Sequence, residues 1–179
     1  FADGKEVARF TALMQREDDL PVPAGTPGHP LPGAPRPVSE CPPCHIPFAG
    51  LQGGYGELIE NRLAEGRMAE GPSAVWFRLR HALVAGEAPS PYQRVAVAAD
   101  SGNGVSAALD IEHYSFVNCD LTINLLRRPL GEWICLRSRS LLGGNGCGLA
   151  ESALFDEAGL VGRATQTLAI RQRPASPPA

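Results

Sequence analysis

The sequence predicts an α+β fold in which a small apolar helix precedes an antiparallel meander, and three features carry that prediction. Four strand-like runs, 115–127, 132–142, 147–155 and 160–171, are joined by "RPLG", "GGNG" and "DEAG", connectors short enough to imply hairpins. Upstream, "SAVWFRLRHALV" (73–84) alternates Val75, Phe77, Leu79, His81 and Leu83 with Trp76, Arg78 and Arg80, which is the period of a strand. Between them lies one stretch with helix-start chemistry and little charge. A strand, a buried helix and a meander make α+β rather than a doubly wound parallel sheet.

In chain order, residues 1–16, "FADGKEVARFTALMQR", pair the turn chemistry of "ADG" with a stretch from Val7 to Met14 that suits a strand. The chain therefore opens at Phe1 in strand-like sequence, as if more preceded it. Residues 17–50 change composition: ten of the seventeen prolines lie between Pro21 and Pro47, interleaved with Gly25, Gly28 and Gly33. Proline removes a backbone donor and fixes φ, so this segment is expected to join neither a ladder nor a helix and to wrap the surface as an extended linker. The folded domain is expected over 51–173. Within it Ser90 can cap a helix, Pro91 suits the first helical position, Val95 to Ala99 are small and apolar, and Gly102 is the expected stop. Residues 174–179 read as a disordered tail.

Composition narrows the function classes. A net charge of −3 with no basic stripe argues against a nucleic-acid partner. No apolar run approaches the roughly 18 residues of a membrane span, and the first residues do not read as a signal peptide. Five cysteines, Cys41, Cys44, Cys119, Cys135 and Cys147, are an odd number with three in apolar stretches. That suggests buried thiols in a reducing compartment, and hence a cytoplasmic location, more than a disulfide framework.

Two motifs invite cofactor readings. "CPPCH" (41–45) has the spacing that attaches a c-type haem, but attachment needs a helical pocket closing over the macrocycle, and here the motif sits among prolines ahead of a mostly stranded domain. Zinc needs four ligands; Cys41, Cys44 and His45 offer three, with His29 a distant fourth. The expectation is a solvated linker whose cysteines and histidine bind nothing, so neither cofactor nor metal is expected. "GGNGCG" (143–148) resembles part of a dinucleotide loop, but such a loop opens a helix, whereas "CGLAESALF" looks like a strand.

The polar residues inside the meander say more. In "YSFVNCDLTINLL" the positions Val117, Cys119, Leu121, Ile123 and Leu125 form one apolar row, and Asn118, Asp120, Thr122 and Asn124 form the other; periodicity alone favours a solvent face for the second row. In "LVGRATQTLAIR", Gln166 shares its face with Leu160, Ala164, Leu168 and Ile170. A lone amide on an apolar row must find a partner, as a satisfied core group or as a site residue.

The last ninety residues carry a resemblance. "NCDLTINLLRRPLGEWICLRSRS" followed by "GCGLAESALFDEAGLVGRATQTLAIR" resembles the C-terminal half of double-hotdog acyl-CoA thioesterases of the thioesterase II type. An Asp opens a strand, "R-P-x-G-E-W" leads into the next, a glycine hairpin follows, and "D-E-x-G" precedes a final strand with a central Gln. "ADSGNG" at the end of the helix also fits, and the likeness covers about residues 51–173. It implies a hotdog fold, an antiparallel sheet wrapped around a central helix, with two such units side by side. It also implies hydrolysis of acyl-CoA to free acid and CoA, an activity in lipid metabolism, by water held between an Asp, a Gln and a Thr or Ser.

Asp120 falls at the family's Asp and Gln166 at its Gln. A carboxylate can orient and deprotonate water, and an amide can fix it without charge. The third position departs from the pattern: Leu141 lies where the hydroxyl belongs, with Ser140 beside it as the candidate. On this likeness residues 1–16 resemble the last strand of an N-terminal hotdog, so the partner unit is either that missing half or another copy in a homo-oligomer. The rival reading is a non-catalytic hotdog that binds acyl groups or serves only assembly.

Overall fold

A computed structural model describes the chain apart from residues 1–2, 17, 19–20, 27–30, 46–54 and 175–179; His29 and most of the expected tail lie outside the described residues. The chain divides into two units, residues 1–30 and 31–179. In the first, no strand forms over Val7 to Met14 among the described residues, and Phe10, Leu13 and Met14 are 93%, 97% and 91% exposed. A strand needs a ladder, and this stretch pairs with none.

The second unit is built on its helix. Ser90 caps α2 (Pro91–Ala99): its side chain accepts from the Gln93 N–H while the Gln93 side chain takes the Ser90 N–H, a complete capping box with Pro91 in the first turn. The helix buries Val95, Ala98 and Ala99. Gly102 does not stop it. After a turn at Asp100–Ser101 the chain re-enters helix as α3 (Gly102–Ser106). A short helix, α1 (Tyr55–Leu58), precedes the sheet proper.

The strands are β1 (Pro43–Cys44), β2 (Ile59–Glu65), β3 (Ser73–Leu79), β4 (Tyr114–Asn118), β5 (Thr122–Leu125), β6 (Ile134–Leu142), β7 (Cys147–Asp156) and β8 (Gly159–Gln172). They form one antiparallel sheet in the order β1-β2-β3-β6-β7-β8-β4, with β5 also on β8. The strand at 73 and the β6-β7-β8 part of the meander appear as expected, although β3 ends at Leu79 and β2 had no clear sequence signal. The hairpin expected at "RPLG" is corrected: β5 pairs with β8 across the sheet rather than with β6. One face packs on α2 and α3 through Val75, Phe77, Ile134, Leu136, Leu154 and Val161. Each such side chain contributes roughly 1.5–3 kcal/mol on burial. The sheet wraps its helix, which is the hotdog arrangement.

The other face is not bare. Trp76, Trp133, Cys135 and Phe155 form a second apolar layer there with Ala64 and Ala74, and Cys41 joins it. Residues 31–44 cross this layer as a strap. The Trp76 indole N–H donates to the Arg36 carbonyl at 2.9 Å, and the Arg137 guanidinium donates to the Gly33 carbonyl at 2.7 Å. The solvated-linker expectation for this part of the segment is therefore corrected. Cys41 is 4% exposed, and Pro43–Cys44 pair with Arg62–Asn61 as an edge strand. Proline was expected to bar a ladder, but an edge strand turns one side to solvent, so a missing N–H costs nothing there; the Pro42 carbonyl still accepts from the Leu63 N–H at 2.9 Å. Burial pushes the Cys44 thiol up to about 11, which suits a packed thiol rather than a reactive one. No three His, Cys, Asp or Glu side chains gather in a metal-binding group among the described residues.

The expected strand 115–127 is broken in two. From Asn118 to Thr122 the chain advances four residues while its partner moves only from Leu168 to Thr165, so one residue is extra, a bulge. The faces therefore swap. In β4 the even residues share the face of Leu168, with Asn118 opposite it, and Val117 is turned out at 60% exposed. In β5 the odd residues turn in, and Ile123 packs on the core. The single apolar row from Val117 to Leu125 is thus corrected. Beside the break, β5 passes so close to Gly162 that any side chain there would strike the Asn124 carbonyl.

Candidate active site

Gln166 lies at the centre of β8, 1% exposed. Its cross-strand row runs through Ala150 of β7 to Ser140 of β6, beneath the junction of α2 and α3. Both ends of its carboxamide are engaged by backbone of that junction. Nε2 donates to the Asp100 carbonyl at 2.9 Å, and Oε1 accepts from the Asn103 N–H at 3.3 Å. The fit depends on a missing side chain: a Cβ at Gly102 would lie 2.8 Å from Gln166 Oε1 and 2.9 Å from Ser152 Oγ. The buried amide has found its partners.

Asp100 closes α2 and turns its side chain outward, where it is exposed. From the other side Asn118, at the end of β4, donates Nδ2 to the Asp100 carbonyl at 3.2 Å and to Asp100 Oδ1 at 3.1 Å. Asp100, Asn118 and Gln166 are thus brought together by three elements remote in sequence, and the Asp100 carbonyl is shared by both amides. Tyr55 adds a wall: its hydroxyl donates to the Val97 carbonyl at 3.0 Å and pairs with Ser101 Oγ at 2.9 Å. Burial pushes the Tyr55 phenol above its ordinary value; the Ser101 contact opposes this and the nearby Asp100 charge adds to it.

The other two residues singled out in the sequence lie apart from this cluster. Asp120 sits in the bulge, where Oδ1 accepts from the Thr167 N–H at 2.7 Å and Oδ2 from Thr167 Oγ1 at 3.1 Å. Its carboxylate stands in for a ladder carbonyl that the bulge has removed, on a residue whose side chain points away from the face of Gln166. Ser140 lies behind α3, with Oγ 2.9 Å from Ser106 Oγ and 3.4 Å from Asn103 Oδ1. Asp100 and Asn118 were not singled out. "ADSGNG" held the signal for the first, a carboxylate at a helix end before glycines, whereas Asn118 was hidden by a face assignment that the bulge reverses.

Chemically, an exposed carboxylate beside the Asn118 carboxamide, on a turn whose carbonyl Gln166 fixes, can take a proton from water. The family model described as the acyl-CoA thioesterase C-terminal domain matches residues 18–170. Among solved structures, the chain is similar to a protein assigned to the thioesterases from Novosphingobium aromaticivorans DSM 12444, with 22% identity and a TM-score of 0.57, over 78% of this chain and 53% of that one. It is also similar to acyl-CoA thioesterase II TesB2 from Mycobacterium marinum, with 22% identity and a TM-score of 0.56, over 82% and 57% of the two chains. The chain thus spans little more than half the length of these two proteins. A search of curated proteins finds no match.

Proposed function

Because the chain belongs to the family of acyl-CoA thioesterase C-terminal domains, we propose that it hydrolyses acyl-CoA thioesters to free acid and CoA at an Asp/Gln site formed by Asp100 and Gln166, with Asn118 beside them. Asp100 removes a proton from water, and the hydroxide attacks the thioester carbonyl carbon. The tetrahedral intermediate then collapses with cleavage of the C–S bond, and the proton passes from Asp100 to the departing thiolate. Asn118 holds the water beside the Asp100 carboxylate and Gln166 holds the Asp100 turn in register, which is where most of the gain from a positioned reactant arises.

The observation that carries this reading is the convergence of both amides on Asp100, within 3.2 Å, from β4 and β8. Two outward apolar residues, Val117 beside Asn118 and Leu126 further along β8 opposite Val161, are 60% and 67% exposed and support a second hotdog unit beside this one, from another copy or from a longer chain. The test is hydrolysis of a panel of acyl-CoA substrates by wild type, Asp100→Asn and Asp120→Asn. General base catalysis contributes about 10²- to 10⁴-fold, so Asp100→Asn loses activity on that order with the fold intact, whereas Asp120→Asn keeps it. The reverse pattern returns the base to Asp120. A wild type with no turnover that still binds acyl-CoA favours the non-catalytic acyl-binding module.

A further inference from the structure

We infer that Ser140 is a positioning residue for Gln166, acting through α3. Gln166 is held by two backbone atoms, the Asp100 carbonyl and the Asn103 N–H, so its carboxamide is only as well placed as the α2–α3 junction. A helix of five residues cannot fix that junction by itself. The sheet beneath holds it with hydroxyls. Ser73 Oγ donates to the Val105 carbonyl at 2.7 Å, and Ser106 Oγ donates back to the Gly102 carbonyl at 3.0 Å.

Proton accounting gives Ser140 its place. A serine has one proton to donate. Ser106 spends its own on Gly102, so in the 2.9 Å contact Ser140 donates and Ser106 accepts. The result is a directed chain from Ser140 to Ser106 to the Gly102 carbonyl. Asn103 Oδ1, 3.4 Å from Ser140 Oγ, is the longer of the two acceptors open to that one proton. One half-buried hydroxyl thereby touches the second and the last residues of α3, and it sits in the same cross-strand row as Gln166. Ala150, the residue between them, is too small to link the two side chains, so the coupling runs over the helix. The far side of the junction is packed as closely, because Gly102 has no room for a Cβ against Gln166 Oε1 and Ser152 Oγ. A junction released by loss of the Ser140 hydroxyl moves where Gln166 feels it.

The test compares wild type with Ser140→Ala and Ser140→Thr, the threonine keeping the hydroxyl in a strand that tolerates β-branching. The first readout is the pair of Gln166 side-chain NH2 cross-peaks in a 1H–15N NMR spectrum, assigned by their disappearance in Gln166→Leu. In Ser140→Ala they shift or broaden, and in Ser140→Thr they return toward wild type. The second readout is acyl-CoA turnover, which rests on the function proposed above. There kcat falls about 10- to 100-fold in Ser140→Ala, KM is little changed, and threonine restores the rate. Unmoved Gln166 cross-peaks in a folded Ser140→Ala overturn the inference, as does threonine failing to restore them. If Ser140→Ala does not fold, Ser140→Cys replaces it, keeping the size with a weaker donor and expected to shift the same cross-peaks by less. Shifted cross-peaks in a protein without turnover uphold the positioning role and count against the hydrolysis reading alone.

Discussion

Replacing Asp156 by asparagine separates the resemblance motifs that hold the fold from those that make the site. The Asp156 side chain is fully buried, and Arg127, whose side chain is 33% exposed, reaches it with both terminal nitrogens at 2.6 Å. Oδ1 also accepts from the Ala158 N–H at 2.9 Å and Oδ2 from the Leu130 N–H at 2.8 Å. Each oxygen therefore serves one guanidinium N–H and one backbone N–H. Asparagine keeps a single oxygen, so whichever way its amide is turned, an NH2 faces one donor of each kind. Breaking one side of a buried pair costs about 3–5 kcal/mol. Partial hydration of Arg127 puts this case at the lower end, about 3 kcal/mol, which for a chain of this size lowers Tm by roughly 6–12 °C.

Burial alone would push the Asp156 carboxyl up, but the Arg127 contacts and the Leu130 and Ala158 N–H groups outweigh it and hold the pKa below the ordinary range. A carboxyl with a depressed folded pKa adds stability that is complete above its unfolded value, near 3.9, and is lost as pH falls through the folded value. The gap between wild type and Asp156→Asn is accordingly full at pH 7 and shrinks below about pH 4. Urea melts across pH 3 to 7 measure it. A loss under about 1 kcal/mol at pH 7, or a gap that widens on acidification, refutes the reasoning.

Two further changes follow from the packing. Asn61 is 5% exposed and its Nδ2 has no hydrogen-bond partner among the described residues, between Cys44 and Phe77 in its cross-strand row. An unsatisfied buried donor costs about 1–3 kcal/mol, so Asn61→Val should raise the urea midpoint, and a lower midpoint would show that the amide is bonded in solution. Trp76→Phe removes the hydrogen bond to the Arg36 carbonyl while keeping a ring in the outer layer; stability should fall by about 1 kcal/mol, and limited proteolysis should cut sooner within residues 31–44. Unchanged cleavage would mean that the strap is held elsewhere.

The fold was legible because its signals are local. The Ser90 cap, the Pro91 start and the "GGNG" and "DEAG" connectors each act over a few residues, and the capping box and these two hairpins form where they predict; "RPLG" looked the same but joins strands that do not pair, because β5 lies on β8. Gln166 was legible for a related reason: one polar group on an apolar row stands out in any register. The Asp was harder. "NCD" and "ADS" each offer a carboxylate near a glycine or a turn, and Gln166 reaches the backbone carbonyl of Asp100, a contact that no reading of side chains in "ADS" announces. Nothing in 115–127 announces the extra residue, because the alternation reads through it without a gap. The landmarks "R-P-x-G-E-W" and "D-E-x-G" turn out to meet each other, as the Leu130 N–H bonds Asp156, so they mark a structural clasp rather than chemistry. The strap was misread for a different cause: proline content reports what a segment cannot donate, not what it can cover.

The bulge at residues 119–121 also bears on how such a domain changes over generations. Deleting one residue there would set Asn118 and Thr122 three positions apart, the same spacing as Leu168 and Thr165, so β4 and β5 could run on as one strand with both present registers intact. Asn118 would keep its inward place beside Asp100, and only the bulge that seats the Asp120 carboxylate on Thr167 would go. Lineages of this domain can therefore gain or shed the extra residue through a single-codon insertion or deletion without turning either strand over.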